Sequence, residues 1–170
     1  MPLRISLLVL VLCTAAGARA FDAGNSDPPG DLGKTVVQKP ESVLVRLVRC
    51  CEQLRGRQIK IRDETVKLNE TIAANDGKAT ADHKKAAVAL ADRQQELIRQ
   101  AEKAIALVEK EGTMVESTEL LKALQDYMEA VEKHLRQTDA GLRTKADEDR
   151  IVDTLELMVD ALEKSRCRDK

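Results

Sequence analysis

Aliphatic residues recur along this chain at alternating steps of three and four, the spacing that keeps side chains on one face of an α-helix. The first run is Leu44, Leu47, Cys51, Leu54, Gln58, Ile61, Thr65, Leu68 and Ile72, an unbroken a/d seam of coiled-coil type. Gln58 and Thr65 are polar within it and are expected to set register more than to add stability. The run predicts a helix over 41–74 that starts just after Pro40, carries Gly56 on its outer face and stops at the turn signal Asn75-Asp76-Gly77. A second helix is predicted over 81–111, with Ala87, Leu90, Gln94, Leu97, Ala101, Ala104 and Val108 as its seam, Ile98 and Ile105 beside it, and Gly112 at its end. Its first half is rich in alanine at 86, 87, 89 and 91. A third helix, over 118–138, takes Ser117 or Thr118 as N-cap, buries Leu121, Leu124, Met128, Val131 and Leu135, and ends at Asp139-Ala140-Gly141. The fourth, over 145–165, is capped by Thr144 with Asp147 three residues on. It buries Ile151, Leu155, Met158 and Leu162, with Val152 and Val159 alongside.

Four amphipathic helices joined by short loops predict an all-α fold. The expected form is an antiparallel four-helix bundle built from one long and one short αα-hairpin with coiled-coil-like seams. The long hairpin spans ~45–50 Å and the short one ~30 Å. The tip of the long hairpin should therefore project, leaving Leu68, Ile72, Ala86 and Ala87 as the candidate contact surface, because seam residues there outrun the cover of the shorter helices.

Ahead of the 41–166 bundle, residues 1–20 read as a signal peptide: Arg4, an apolar run from Ile5 to Leu12, and Ala18-Arg19-Ala20 as the cleavage site. The apolar run is too short to span a bilayer, which takes ~20 such residues. Residues 21–40 read as a flexible linker containing Asp27-Pro28-Pro29-Gly30, Gly33 and Pro40. The expectation is an exported protein, periplasmic or extracellular after cleavage near Ala20. Loss of Arg4 and Arg19 would take the net charge from −1 to −3, which gives no global attraction to phosphate backbones or anionic membranes. The only rings are Phe21 and Tyr127, too few for base-stacking or sugar-stacking platforms.

Export also implies an oxidising compartment, where cysteines tend to pair. Cys13 leaves with the signal, and Cys50, Cys51 and Cys167 remain. Adjacent Cα atoms lie about 3.8 Å apart, below the usual disulfide span of ~4.4–6.8 Å. A bridge from Cys167 to Cys50 or Cys51 is expected instead, with Cys50 at a partly exposed g position as the favoured partner.

From Arg93 onward, three motifs carry a likeness: Arg93-Gln94-Gln95-Glu96-Leu97, Asp126-x-Met128, and Glu148-Asp149-x-Ile151 followed by Leu155, Met158, Ala161 and Leu162. On these, residues 93–164 resemble uncharacterised exported helical proteins of planctomycete-type bacteria. The resemblance implies an envelope location and a helical fold, and brings no activity with it.

Candidate chemistry is sparse. A di-metal carboxylate bundle uses Glu-x-x-His pairs, yet the residues three before His83 and His134 are Thr80 and Val131. Asp147, Glu148, Asp149 and Asp153 read as carboxylates favoured by a helix N-terminus. Arg46, Arg49, Arg55, Arg57, Lys60 and Arg62 spread around three sides of the first helix and read as a solvated face. Asn69-Glu70-Thr71 matches the glycosylation triplet but falls inside a helix. The chain contains no Gly-rich phosphate loop, Gly-x-Ser-x-Gly elbow or Cys-x-x-Cys pair, so no catalytic residue, metal or cofactor is assigned. The expected function is that of a non-catalytic exported bundle acting through protein–protein contacts, as adaptor, assembly factor or envelope structural component. Its partner would be an envelope protein or a second copy, with neither nucleic acid nor stable membrane insertion involved. The rival is a bundle holding a small ligand or metal in its core, lined by Met128 and Met158, although methionine at seam positions is ordinary gap filling.

Overall fold

Each predicted seam forms the buried stripe of a helix. The computed structural model describes residues 41–112 and 114–168, so the signal-peptide and linker expectations at 1–40 lie outside it. Its helices are α1 (Val43–Ala74), α2 (Ala81–Glu111), α3 (Val115–Arg136) and α4 (Leu142–Arg168). Each packs on two neighbours: α1 and α3 both contact α2 and α4, and no close backbone approach crosses either diagonal. With loops this short the arrangement is an antiparallel four-helix bundle. Among the described residues no helix is long and apolar enough to cross a membrane.

Burial follows the period. From Leu47 to Leu68 the α1 seam is buried, and Leu44 and Ile72 at its ends are half-buried. On α2 all nine predicted residues are buried, and Ala91 joins them. The layer between helices is Leu, Ile, Val, Met and Ala, including Met128 at 0% and Met158 at 3% exposure, so both methionines are packed core. The ends are held by local hydrogen bonds. Ser42 Oγ accepts from the Val45 amide, and a Thr80–His83 capping box opens α2. At the first turn Asp76 and Gly77 both have left-handed backbone, and the Gly77 amide donates to Ile72 O.

Two helices start earlier than the sequence predicts, for one physical reason. The sequence points to Ser117 or Thr118 as N-cap of α3, but Ser117 lies within the helix, and the hydroxyl and amide of Thr118 both donate to Met114 O. That places Thr118 inside the first turn, and α3 begins at Val115. Likewise Thr144 is not a cap. Its hydroxyl donates to Asp139 O while the Asp139 carboxylate accepts from the Gly141 amide, and α4 begins at Leu142. It also continues to Arg168, past the expected end at 165, with Ser165 Oγ donating back to Ala161 O. With 27 residues, α4 reaches about 40 Å, so the second hairpin is unequal: α3 is its short arm.

Candidate functional site

The register of α2 against α3 shows where the bundle is left uncovered. Arg136, the last residue of α3, ion-pairs with Asp92 and donates to Gln95. The stretch of α2 from Ala81 to Ala91 therefore runs past the end of α3, about 16 Å at helical rise. On the other side α4 covers more of α1, since Thr65 meets Glu148 in the second turn of α4. On the α2 side the tip thus runs beyond α3, although Ala87, Leu90 and Ala91 stay buried there, and on the α1 side it is backed by α4.

The four contact candidates divide accordingly. Leu68 is 6% exposed and Ala87 is fully buried, both in the core. Ile72 is half-buried against that core, and Ala86 is exposed. Leu68 and Ala86 meet in an open cleft of about 540 Å³ on the outer face of the hairpin, which Ala89 and Leu90 also line. A smaller cleft of about 200 Å³, lined by Arg57, Lys60, Ile61 and Leu97, continues along the same face. Arg93 borders both clefts and bridges to Glu64 at 2.6 Å, and its hydrogen bond holds the Glu64 carboxyl below its ordinary value. The two clefts lie in line, with the Arg93–Glu64 bridge crossing between them, along a groove between the stripe 57, 60, 64, 67, 71 of α1 and the stripe 82, 86, 89, 93, 96 of α2. Both stripes step by three and four, so this second period was present in the sequence alongside the seam. Which faces they form depends on how the helices pair, and the basic residues of α1 consequently read as dispersed.

A second feature lies inside the bundle. Gln94 Nε2 donates to Gln58 Oε1 at 3.0 Å, joining α1 to α2. One heptad further along α1, Thr65 Oγ1 lies 2.8 Å from Glu148 Oε1 and 3.0 Å from Ile61 O. All four side chains are 0% exposed. Glu148 Oε2 has no partner, and burial pushes the carboxyl up to about 7, against the smaller opposing effects of Thr65, Arg62 and Lys145. Glu148 was read as a carboxylate stabilised by a helix N-terminus. That reading is corrected: α4 starts six residues earlier, no acid occupies its first turn, and Glu148 continues the seam inward.

Cys50 is half-buried, Cys51 buried and Cys167 exposed, all three as free thiols. Burial pushes the Cys51 thiol up to about 12 and raises Cys50 as well, which makes both poor nucleophiles. The Arg55–Glu156 ion pair marks the α1–α4 register. Counting from it, Cys167 lies about 9 Å farther down the bundle axis than Cys50. His83 completes the capping box that Thr80 opens on α2, and Asp149 pairs with Arg62 and Lys145. Among the described residues no three His, Cys, Asp or Glu side chains gather as a metal site requires. Set against known proteins, the chain matches no protein family, no curated protein and no solved structure.

Proposed function

We propose that this chain is a non-catalytic, exported helical bundle that works through protein–protein contact, with the outer groove of its α1–α2 hairpin as the contact surface. The observation that carries the reading is the groove itself. Exposed Ala86 and Ala89 stand over the nearly buried Leu68 and Leu90 between charged rims. Helix-in-groove recognition uses such a surface: an apolar floor for affinity and charged edges for orientation. The signal-peptide pattern at 1–20 supports export, and the low aromatic content supports a protein partner over nucleic acid or sugar.

The test is site-specific photocrosslinking in cells that export the protein. A crosslinker at exposed Ala86 or Ala89 should give a discrete protein adduct, and one at exposed Glu129 on α3 should give none. Equal labelling from both positions would overturn the assignment of the groove. A small molecule retained in native mass spectrometry, with no protein adduct, would favour the ligand-binding reading instead.

A further inference from the structure

We infer that the partner is an amphipathic helix of about four turns whose flank facing α1 is acidic; this rests on the groove being the contact surface. Length comes first. The lining stripe from Arg57 to Thr71 covers about 21 Å of α1, which a helix of some fourteen residues would span by lying over the Glu64–Arg93 bridge at its middle. Depth follows from the α2 wall, where Ala86 and Ala89 leave room for a helix backbone to approach the floor at Leu68 and Leu90.

Charge decides the flank. Along the α1 rim Arg57, Lys60 and Lys67 are exposed, and among the described residues none has a carboxylate within ion-pair distance. The rim's only acid, Glu64, is already held by Arg93 across the groove. On the α2 rim Glu96 is likewise held by Arg99, which leaves Asp82 alone. The groove therefore carries on one edge three cations that make no ion pair, with Lys67 also acting on Glu64, and on the other one such anion. Carboxylates at heptad spacing on the partner would face Lys60 and Lys67, seven residues apart on α1. Opposite charges across a rim steer encounter and fix orientation more than they add affinity.

A second copy of this chain fits poorly. Among the described residues its large exposed apolar side chains are Val88, Val115, Leu120, Leu142 and Leu157. They stand singly, so no described helix offers an apolar ridge flanked by acids along four turns. The occupant is a helix of a different protein.

Two synthetic helical peptides test this against the purified full chain. Both carry the same Ala/Leu ridge; one has Glu along a flank and the other Lys. Fluorescence anisotropy at low salt should show the Glu peptide binding about tenfold tighter or more, with the advantage shrinking as salt rises. Reversing the rim with Arg57→Glu, Lys60→Glu and Lys67→Glu should invert the preference. Filling the groove with Ala89→Phe, at an exposed helical position, should abolish binding of both, while circular dichroism confirms that the variants remain folded. If both peptides bind equally, Ala89→Phe blocks them and charge reversal does nothing, the acidic-flank inference falls and the groove stands. If neither peptide binds, or Ala89→Phe has no effect, the groove is not a helix site. Self-association lost on Ala89→Phe would make the occupant a second copy and overturn the inference.

Discussion

Replacing Glu148 by glutamine should stabilise the bundle above neutral pH and leave it nearly unchanged near pH 5. The Thr65 hydroxyl has one hydrogen and two close oxygens, Ile61 O and Glu148 Oε1. If Glu148 is a neutral acid, it donates to Thr65 Oγ1, which passes its own hydrogen to Ile61 O, and both contacts are hydrogen bonds. If Glu148 is ionised, one hydrogen must serve two acceptors and one contact turns repulsive. The charge is then fully buried with Oε2 unpartnered. Arg62, Lys145 and Asp149 are the charged groups that act on it, the first two favouring the ion and the third opposing it.

Linkage sets the sign. The unfolded carboxyl releases its proton near its ordinary value of 4.5, whereas the folded one holds it to about 7. Between those values the folded state binds more protons, so its stability falls as pH rises through the window and levels off above it. The full loss is at most about 3 kcal/mol. Glu64, whose carboxyl is lowered by Arg93, acts in the opposite direction and at lower pH, so the window belongs to Glu148. Urea unfolding followed by circular dichroism at pH 5 and pH 8 measures it as the difference between wild type and Glu148→Gln. A difference that does not change with pH, or a glutamine variant less stable at pH 8, would refute the argument.

Removing one member of the glutamine pair with Gln94→Leu should cost about 1–3 kcal/mol by taking the donor from the buried Gln58 Oε1, while the double variant Gln58→Leu/Gln94→Leu should be neutral or more stable; a double-mutant cycle on urea midpoints reads the coupling, and additive effects would count against the pair. Two glycines should respond oppositely in thermal melts. Gly112→Ala should destabilise by about 1 kcal/mol because φ is 72° there, and Gly56→Ala on the outer face of α1 should stabilise by about 0.5–1 kcal/mol, since an added Cβ meets nothing within 4 Å at either position. A thiol reagent followed by mass spectrometry should label exposed Cys167 first, Cys50 slowly and Cys51 only on unfolding; early labelling of Cys51 would contradict its burial.

Periodicity carried the fold, because a residue's step along a helix decides which face it occupies whatever the rest of the molecule does. Every predicted seam residue from Leu47 to Leu68 is buried, including Gln58 and Thr65. The same rule reaches Glu148. Stepping back from Leu162 through Met158, Leu155 and Ile151 lands next on 148 and then on 144, and both are 0% exposed. The chemistry of a carboxylate argued for solvent, and the period was the better guide. Helix starts were legible only to within a turn, because a threonine can bond back to a carbonyl as readily as it can cap. The groove was least legible. Its two walls belong to different helices, and only their antiparallel register brings Lys67 and Ala89 to one cleft.

That register has a specific source. Apolar heptads are nearly interchangeable, so sliding α1 by seven residues would leave its leucines and isoleucines facing apolar neighbours. The polar positions do not tolerate the slide. A heptad slip would set Gln58 against Ala87 or Ala101 in place of Gln94, and Thr65 against Gly141 or Leu155 in place of Glu148. One slip would bring Gln58 level with Glu148 but strand Gln94 beside Cys51, and the other would bring Thr65 level with Gln94 but strand Glu148 beside Ile72, and a stranded buried group costs about 1–3 kcal/mol or more. Both polar contacts involve α1, one reaching α2 and the other α4. They fix the offset of α1 from both neighbours, and the α1–α2 offset places Arg57, Lys60 and Lys67 beside the alanine wall of α2. The double leucine variant, though at least as stable, should therefore populate shifted registers and bind the acidic peptide less tightly than wild type. An unchanged affinity would separate the buried polar layer from the surface outside it.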